Sequence, residues 1–249
     1  MMPKVSVILA TYNERENIED LIMSILSVLE NSDYPTEIIV VDDNSPDETW
    51  EVVEKIAHNN GNVRLLKRMN EKGLASAISN GISLSTGDII VWMDCDFSHP
   101  PKLMPQLIKA LDECDIAVAS RFVKGGGMQC SFMRVVASRS LTLFANIVLG
   151  HVKDYTSGYP AVRREVFDKV KIQPLLGENR GYIVGYGEYF IAFLYRANKT
   201  GFKITEVPYI YVARKRGETK TSPNMLALLK CGIVYGVTIL YLRMFKRNL

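Results

Sequence analysis

Short β-rich apolar runs at residues 5–10, 37–41, 63–67, 89–93 and 116–120 alternate with segments whose apolar residues recur at helical spacing. In the first such segment, Ile18, Leu21, Ile22, Ile25, Leu26 and Leu29 follow the i, i+3, i+4, i+7 rule. Leu74, Ala77, Ile78 and Ile82 repeat it, as do Leu103, Met104, Leu107, Ile108 and Leu111. Strands that are apolar on both sides need cover on both faces, and the intervening helices supply it. The expected fold is therefore α/β, a mostly parallel sheet with helices on both faces. Such sheets bind ligands at the carboxyl ends of their strands. Three polar clusters fall there: Thr11-Tyr12-Asn13-Glu14, Asp42-Asp43-Asn44-Ser45 and Asp94-Cys95-Asp96.

After Ser120 the pattern changes. Gly125, Gly126 and Gly127 read as a mobile loop, and the segment 132–149 mixes apolar residues with Arg134 and Arg139. A helix near 186–198, a strand near 203–207, a basic loop and an apolar tail complete the chain. The glycine run lacks the GxGxxG spacing and does not follow the first strand, so it is not a dinucleotide cradle. Trp50, Trp92 and the methionines read as packing residues.

A chain of 249 residues can bury one full core, and one large domain with an appendage is expected. The net charge of +3 is too small to call for nucleic acid, so no such partner is expected. Any cationic function must come from local clustering. Cys95, Cys114, Cys130 and Cys231 form no CxxC pair and no zinc spacing. They read as reduced thiols of a cytosolic or cytosol-facing protein. The first strand begins so early that no signal peptide is expected.

Asp94 and Asp96 follow the buried-strand run Ile89-Ile90-Val91-Trp92-Met93. In extended backbone, residues i and i+2 point to the same side, so both carboxylates can converge on one ion. Oxygen ligands without His or Cys suit Mg²⁺ or Mn²⁺, which keep waters and bridge phosphates. Ser98 stands two residues further on, either as a ligand or as support for a metal-bound water. The competing reading of the pair is a solvated turn or a helix cap. His99 belongs to the turn with Pro100 and Pro101 and not to the ligand set.

Four pieces together resemble family 2 glycosyltransferases of the nucleotide-diphospho-sugar (GT-A) type. They are Thr11-Tyr12-Asn13-Glu14, VVDDNSP from Val40 to Pro46, Asn70-Glu71-Lys72-Gly73, and DCDFSHP from Asp94 to Pro100. In the second half the resemblance narrows to dolichol-phosphate mannosyltransferases and related polyprenyl-phosphate hexosyltransferases. It rests there on FMRVVASR (132–139), DYTSG (154–158), EVP (206–208) and RKRGETK (214–220). The resemblance implies that Tyr12, Glu14 and Asp43 hold the base and ribose, with backbone help around Ala10 and Val41. It puts Asp94, Cys95 and Asp96 at the diphosphate and metal, and Arg121, Arg214 and Lys220 on the phosphates. Asp94, Asp96 and Arg121 form the implied catalytic set. Glu188 matches a family position without an assigned role. Three residues depart from the pattern: Ala10 where proline is usual, Ala213 where an acid often stands, and Thr219 where serine is common.

A phosphate-monoester acceptor has a second pKa of about 6, so it is mostly dianionic at neutrality. Such a nucleophile needs cations more than a general base. Arg134 and Ser138, four apart, share a helix face, and with Arg139 they read as an acceptor-phosphate site. The plainer alternative is a solvated basic stripe. Arg214, Lys215, Arg216 and Lys220 form the densest basic loop, with Gly217 as a hinge for closure over bound donor. Residues 225–242 are almost wholly apolar, interrupted by Lys230 and followed by Arg243, Lys246 and Arg247. That length is close to the roughly 20 residues of a span. The segment reads as an interfacial helix beside 132–149, its cations at anionic head groups, in a short peripheral form of the family.

The division expected is a transferase domain over 1–220 and a membrane-contacting helix over 221–249. The expected reaction is inverting transfer of a hexose, mannose from GDP-mannose, to dolichyl or another polyprenyl phosphate at the cytoplasmic face of a membrane. A membrane-protein partner is left open. UDP-glucose as donor, or a saccharide hydroxyl as acceptor, keeps the fold and changes the substrates. A nucleotidyltransferase should carry a Gly/Arg-rich loop where Thr11-Tyr12-Asn13-Glu14 stands. A non-catalytic membrane adaptor is opposed by the intact Asp94/Asp96 pair and basic loop.

Overall fold

The computed structural model describes residues 2–150, 152–173, 187–214, 216–217 and 225–244. In chain order the first half comprises β1 (Val5–Thr11), α1 (Arg15–Glu30), β2 (Thr36–Asp42), α2 (Thr49–Asn59), β3 (Val63–Lys67), α3 (Leu74–Leu84), β4 (Ile89–Trp92), α4 (Met104–Ala110) and β5 (Ile116–Ser120). The second comprises β6 (Gly127–Gln129), α5 (Phe132–Leu149), β7 (Pro160–Arg163), α6 (Glu188–Thr200), β8 (Ile204–Pro208), β9 (Ile210–Val212) and α7 (Met225–Met244).

Seven strands form one sheet in the order β3-β2-β1-β4-β7-β5-β8, and β6 pairs with β9 in a small ribbon. Six strands of the large sheet run parallel; β7 alone is antiparallel, between β4 and β5. The alternation of side chains divides the core in two. Val5, Val7 and Leu9 of β1 pack with Ile18, Leu21, Ile25 of α1 and Met104, Leu107 of α4. Ile8, Ile39 and Val41 point the other way, into a core with Ile78 of α3, Phe190 and Phe193 of α6, and Ile239 of α7. The expected α/β sheet with helices on both faces is the fold observed.

Three features differ from the sequence reading. Strand β7 has four residues and opens with Pro160, too short for a periodic signal, and its pairing with β4 and β5 defines it. The glycine run is a docked turn rather than a loose loop. A Cβ on Gly126 would meet the Ser120 carbonyl oxygen at 2.5 Å, and Gly127 begins β6 against Ile210. Strand β4 stops at Trp92, so Asp94 and Asp96 sit in a turn past the strand, with Phe97 at φ 61°. The helix expected near 186–198 is α6, beginning at Glu188; residue 186 lies outside the described residues.

At the amino ends of the strands, opposite the polar clusters, Glu37 ties three segments together. Its Oε1 accepts hydrogen bonds from Ser6 Oγ (2.6 Å), Thr86 N (2.6 Å) and Thr86 Oγ1 (3.0 Å). Burial alone would raise the Glu37 carboxyl pKa, but these bonds and the Lys4 charge hold it at about 2, against 4.5 when free. The carboxylate therefore contributes stability that is complete above about pH 4.5 and is lost as pH falls through about 2. Glu37→Gln should lower the unfolding free energy at pH 7 by ~1–2 kcal/mol, the shift discounted for solvent screening. It should also flatten the acid limb of urea-unfolding stability measured between pH 5 and 2; an unaltered limb contradicts the assignment.

Candidate functional site

The carboxyl ends of β2, β1, β4 and β5 reach one edge of the sheet and open into a cavity of about 570 Å³. Its lining takes Asp43 from the end of β2, Tyr12 and Glu14 from β1, Asp94, Cys95 and Asp96 from β4, and Arg121 from β5. Arg134 and Ser138 of α5 line the same cavity, as does Arg214 after β9. Thus most of the residues singled out in the sequence meet in one place.

The two aspartates differ in setting. Asp94 projects its side chain into the cavity, 55% exposed, while its backbone N–H donates to His99 Nδ1 at 3.0 Å. Desolvation by the cavity walls pushes the Asp94 carboxyl up, and the charges of Asp96 and Glu14 add to it against Arg214. Asp96 is also desolvated, yet its pKa is lowered by hydrogen bonds from Ser98 and by the Arg214 charge. The Ser98 N–H reaches Asp96 Oδ1 at 3.0 Å. Ser98 is buried beneath Asp96 and is not among the cavity-lining residues.

Arg214 bridges the acids. Its Nη2 donates to Glu14 Oε1 at 2.7 Å and its Nε lies 3.2 Å from Asp96 Oδ2. Glu14 Oε2 accepts from Asn17 Nδ2 at 2.9 Å. Two residues further along the loop, Arg216 reaches Asp20 at 2.9 Å and the Glu16 carbonyl at 3.1 Å. These bonds lay the start of the basic loop over α1. Lys220, read as phosphate-binding, and Lys215 of the same basic loop lie outside the described residues.

Two other arginines are locked. Arg121 donates Nε to Asp154 Oδ2 (2.8 Å) and Nη2 to Asp154 Oδ1 (2.7 Å), and the Arg121 N–H reaches Oδ2 as well. A fourth contact runs from Nη2 to Thr156 Oγ1 at 2.7 Å. Desolvation opposes the charge on Arg121, but Asp154 more than restores it and the guanidinium is held above its ordinary pKa. On the other side, Arg68 Nε donates to Asp43 Oδ1 at 2.7 Å, and Nη2 also contacts that oxygen. Asp43 Oδ2 accepts the Gly73 N–H at 2.8 Å. Burial raises the Asp43 pKa despite these partners. Arg68 was not singled out in the sequence, where nothing but its place after β3 marks it.

Remaining expectations divide. Ala10 lines the cavity, and its carbonyl accepts the Cys95 thiol at 3.5 Å. Val41 is interior, facing the core rather than the cavity. Arg134 and Ser138 line the cavity, but Arg139, one residue on from Ser138, turns to solvent and is not among the lining residues. Helical rotation of about 100° per residue separates it from that face. His99 was read as a turn residue and is buried, yet it lines the cavity. Lys72, Tyr189, Tyr211, Cys231 and Tyr235 also line it and were given no site role from the sequence. Trp92 is core, donating to the Tyr189 hydroxyl at 3.2 Å. Glu188 is buried, and its Oε1 has no hydrogen-bond partner among the described residues.

Residues 6–171 match the sequence profile of Glycosyl transferase family 2. The chain belongs to that family. Among family 2 relatives, a dolichol-phosphate mannosyltransferase from Pyrococcus furiosus is 39% identical over 222 residues, 87% of this chain and 59% of that protein. The chain thus spans under two thirds of that relative's length. A polyprenol monophosphomannose synthase from Mycolicibacterium smegmatis is 33% identical over 223 residues, 87% of this chain and 80% of that protein. The glucosyl-3-phosphoglycerate synthase of Mycobacterium tuberculosis, solved with Mn²⁺, UDP and glucosyl-3-phosphoglycerate, shares the fold. Its TM-score is 0.66 over 97% of this chain and 80% of that one, at 23% identity.

The locked pair makes a stability claim. Arg121 is 9% exposed and Asp154 is fully buried, so removing one partner strands a charge. Asp154→Ala should cost about 3–5 kcal/mol in urea unfolding. A loss below ~1 kcal/mol would mean that the pair is already hydrated in solution.

Proposed function

We propose that this chain is a metal-dependent mannosyltransferase that moves mannose from GDP-mannose to a polyprenyl (dolichyl) phosphate, with inversion at the anomeric carbon. The observation that carries the reading is that one cavity takes its lining from the Asp94/Asp96 pair and from the Arg134/Ser138 face of α5. Two anionic substrates must meet, and a cavity with carboxylates for a cation and a separate arginine for a second phosphate suits that encounter. The names of the Pyrococcus and Mycolicibacterium relatives support mannose and a lipid phosphate as the groups joined.

The donor set fits a divalent cation. Asp94 and Asp96 offer hard oxygen ligands, and the Arg214 guanidinium already places a positive charge 3.2 Å from Asp96 Oδ2. No cluster of three or more metal-binding side chains occurs among the described residues. Two carboxylates completed by water and substrate phosphate are the usual holding of Mg²⁺, and Mn²⁺ takes the same oxygens. Asp94 and Asp96 would hold the ion, with Ser98 fixing Asp96 from beneath. When bound, Mg²⁺ or Mn²⁺ supplies Lewis-acid charge for the leaving diphosphate.

The chain's own residues then divide the work. Tyr12, Glu14 and Asp43 hold base and ribose beside the Ala10 backbone, with Val41 supporting from the core and Cys95 at the diphosphate. Arg121, Arg214 and Lys220 serve the donor phosphates. Arg134 and Ser138 orient the acceptor phosphate, with Arg139 flanking. An acceptor oxygen forms the new bond to the anomeric carbon as the bond to the diphosphate breaks. That oxygen is already anionic above a pKa of about 6, so no protein base must remove a proton.

Membrane contact completes the proposal. Helix α5 exposes Phe132, Met133, Val136, Leu143 and Ile147; α7 exposes Leu226, Leu229, Ile233, Val237, Leu240 and Met244. Both are long and apolar enough to cross a membrane, with 17% of each apolar window buried. Yet both also contribute lining to the same cavity, Arg134 and Ser138 from α5 and Cys231 from α7. That anchors them to the catalytic body, so the proposed arrangement is interfacial, at the cytoplasmic face, with 1–220 catalytic and 221–249 in contact with lipid.

The test is transfer of label from GDP-mannose, with UDP-glucose in parallel, into organic-extractable lipid in the presence of dolichyl phosphate and Mn²⁺. Label from GDP-mannose alone is expected, abolished by chelation. Asp96→Ala should reduce it at least ~100-fold, the scale for loss of a group that acts on transition-state charge. Folded protein that labels no lipid from GDP-mannose overturns the proposal, and label from UDP-glucose alone overturns the choice of donor.

A further inference from the structure

We infer that His99 is the positioning residue of Asp94, fixing that aspartate through its backbone so that both carboxylate oxygens stay turned into the cavity. The inference rests on the metal-site reading of Asp94 and Asp96 given above.

The need arises where strand β4 ends. Its ladder to β1 closes at the Ile8–Trp92 pair, and its ladder to β7 closes at Val91. Asp94 lies beyond both, in a turn, with no strand partner to hold its amide. Backbone N–H groups near the interior require an acceptor, and an unfixed one lets the residue reorient. His99 Nδ1 supplies that acceptor at 3.0 Å. The same nitrogen is 4.0 Å from Asp94 Oδ2, so the imidazole bonds the backbone and leaves the carboxylate alone.

The ring is itself held. It is 1% exposed, stacked on Tyr159 with centroids 5.0 Å apart and planes at 21°, and edged by Tyr209 at 5.9 Å. Tyr159 in turn donates its hydroxyl to the Pro100 carbonyl at 3.1 Å, closing the turn that presents His99. An Nδ1 that accepts a hydrogen bond is unprotonated, so the neutral ring carries its proton on Nε2. The two aspartates are thereby fixed by different devices. Asp96 is gripped at its carboxylate by Ser98 and Arg214, whereas Asp94 is gripped at its amide by His99.

Two substitutions separate this role from simple packing. His99→Asn keeps an acceptor near the Nδ1 position and loses the stacked ring; His99→Phe keeps the ring and loses the acceptor. Mn²⁺ affinity, measured by electron paramagnetic resonance with and without GDP, should fall roughly 10–100-fold in His99→Phe, the range for loss of a group that supports a metal ligand. It should stay within a few-fold of wild type in His99→Asn. The reverse ranking, or equal affinities, overturns the inference. In unmodified protein, ¹⁵N resonances of His99 should report an unprotonated Nδ1; a protonated Nδ1 overturns it even if both variants fail to fold. If wild-type protein takes up no Mn²⁺ in either condition, the metal reading fails instead. Hydrogen exchange of the Asp94 amide then decides His99 alone: fast in His99→Phe and slow in His99→Asn supports it, and no difference overturns it.

Discussion

Parallel strands deliver all their carboxyl ends to one edge of a sheet, and the segments leaving those ends have no ladder partners to satisfy their polar groups. The turns after β1, β2 and β4 and the segment after β5 must therefore close their own hydrogen bonds, and they do so with side chains. Thr11 Oγ1 and Ser45 Oγ both donate to Asp42, at 2.9 and 2.6 Å, joining the first two turns. His99 takes the Asp94 amide, and Asp154 takes the amide and the guanidinium of Arg121. A cavity walled by such turns carries polar side chains because its backbone demands them, and its acids are positioned before any ligand arrives.

Desolvated charges then have to be matched, since an unpaired one is costly. Three arginines do the matching in two distinct ways. Arg68 on Asp43 and Arg121 on Asp154 are closed forks with supporting bonds to Ser76 and Thr156, fixed parts of the wall. Arg214 is different. It comes from the segment after β9 and spans Glu14 and Asp96, residues given to the donor and the metal in the proposed reaction. A divalent ion on Asp96 would take over the role that the guanidinium holds now, releasing Arg214 toward a diphosphate.

The strands and helices of the first half were legible because burial on both faces forces continuous apolar strands, and one-sided burial forces 3.6-residue spacing. Five strands were read to within a residue at each end. The carboxylates were legible too, because a strand end followed by acids is a local pattern. Strand β7 was not, since four residues beginning with proline gain their pairing only from β4 and β5. Side-chain partnerships were equally hidden. Arg121 and Asp154 are 33 residues apart, and Arg214 and Glu14 are 200 apart. Periodicity put Arg134 and Ser138 on one face and could have excluded Arg139 from it. It could not show that α7 also enters the cavity at Cys231 and Tyr235, because that depends on how α7 packs against α5 and α6.

The central claim is that Asp94 and Asp96 hold a divalent ion for a nucleotide diphosphate in the place where Arg214 now meets Asp96. Anomalous diffraction at the manganese edge, from crystals grown with Mn²⁺ and GDP, tests it most directly. The account predicts one peak within about 2.3 Å of a carboxylate oxygen of each aspartate. It also predicts the Arg214 guanidinium withdrawn from Asp96 and turned onto the diphosphate. A peak away from both aspartates, or bound nucleotide with Arg214 still bridging Glu14 and Asp96, would contradict it.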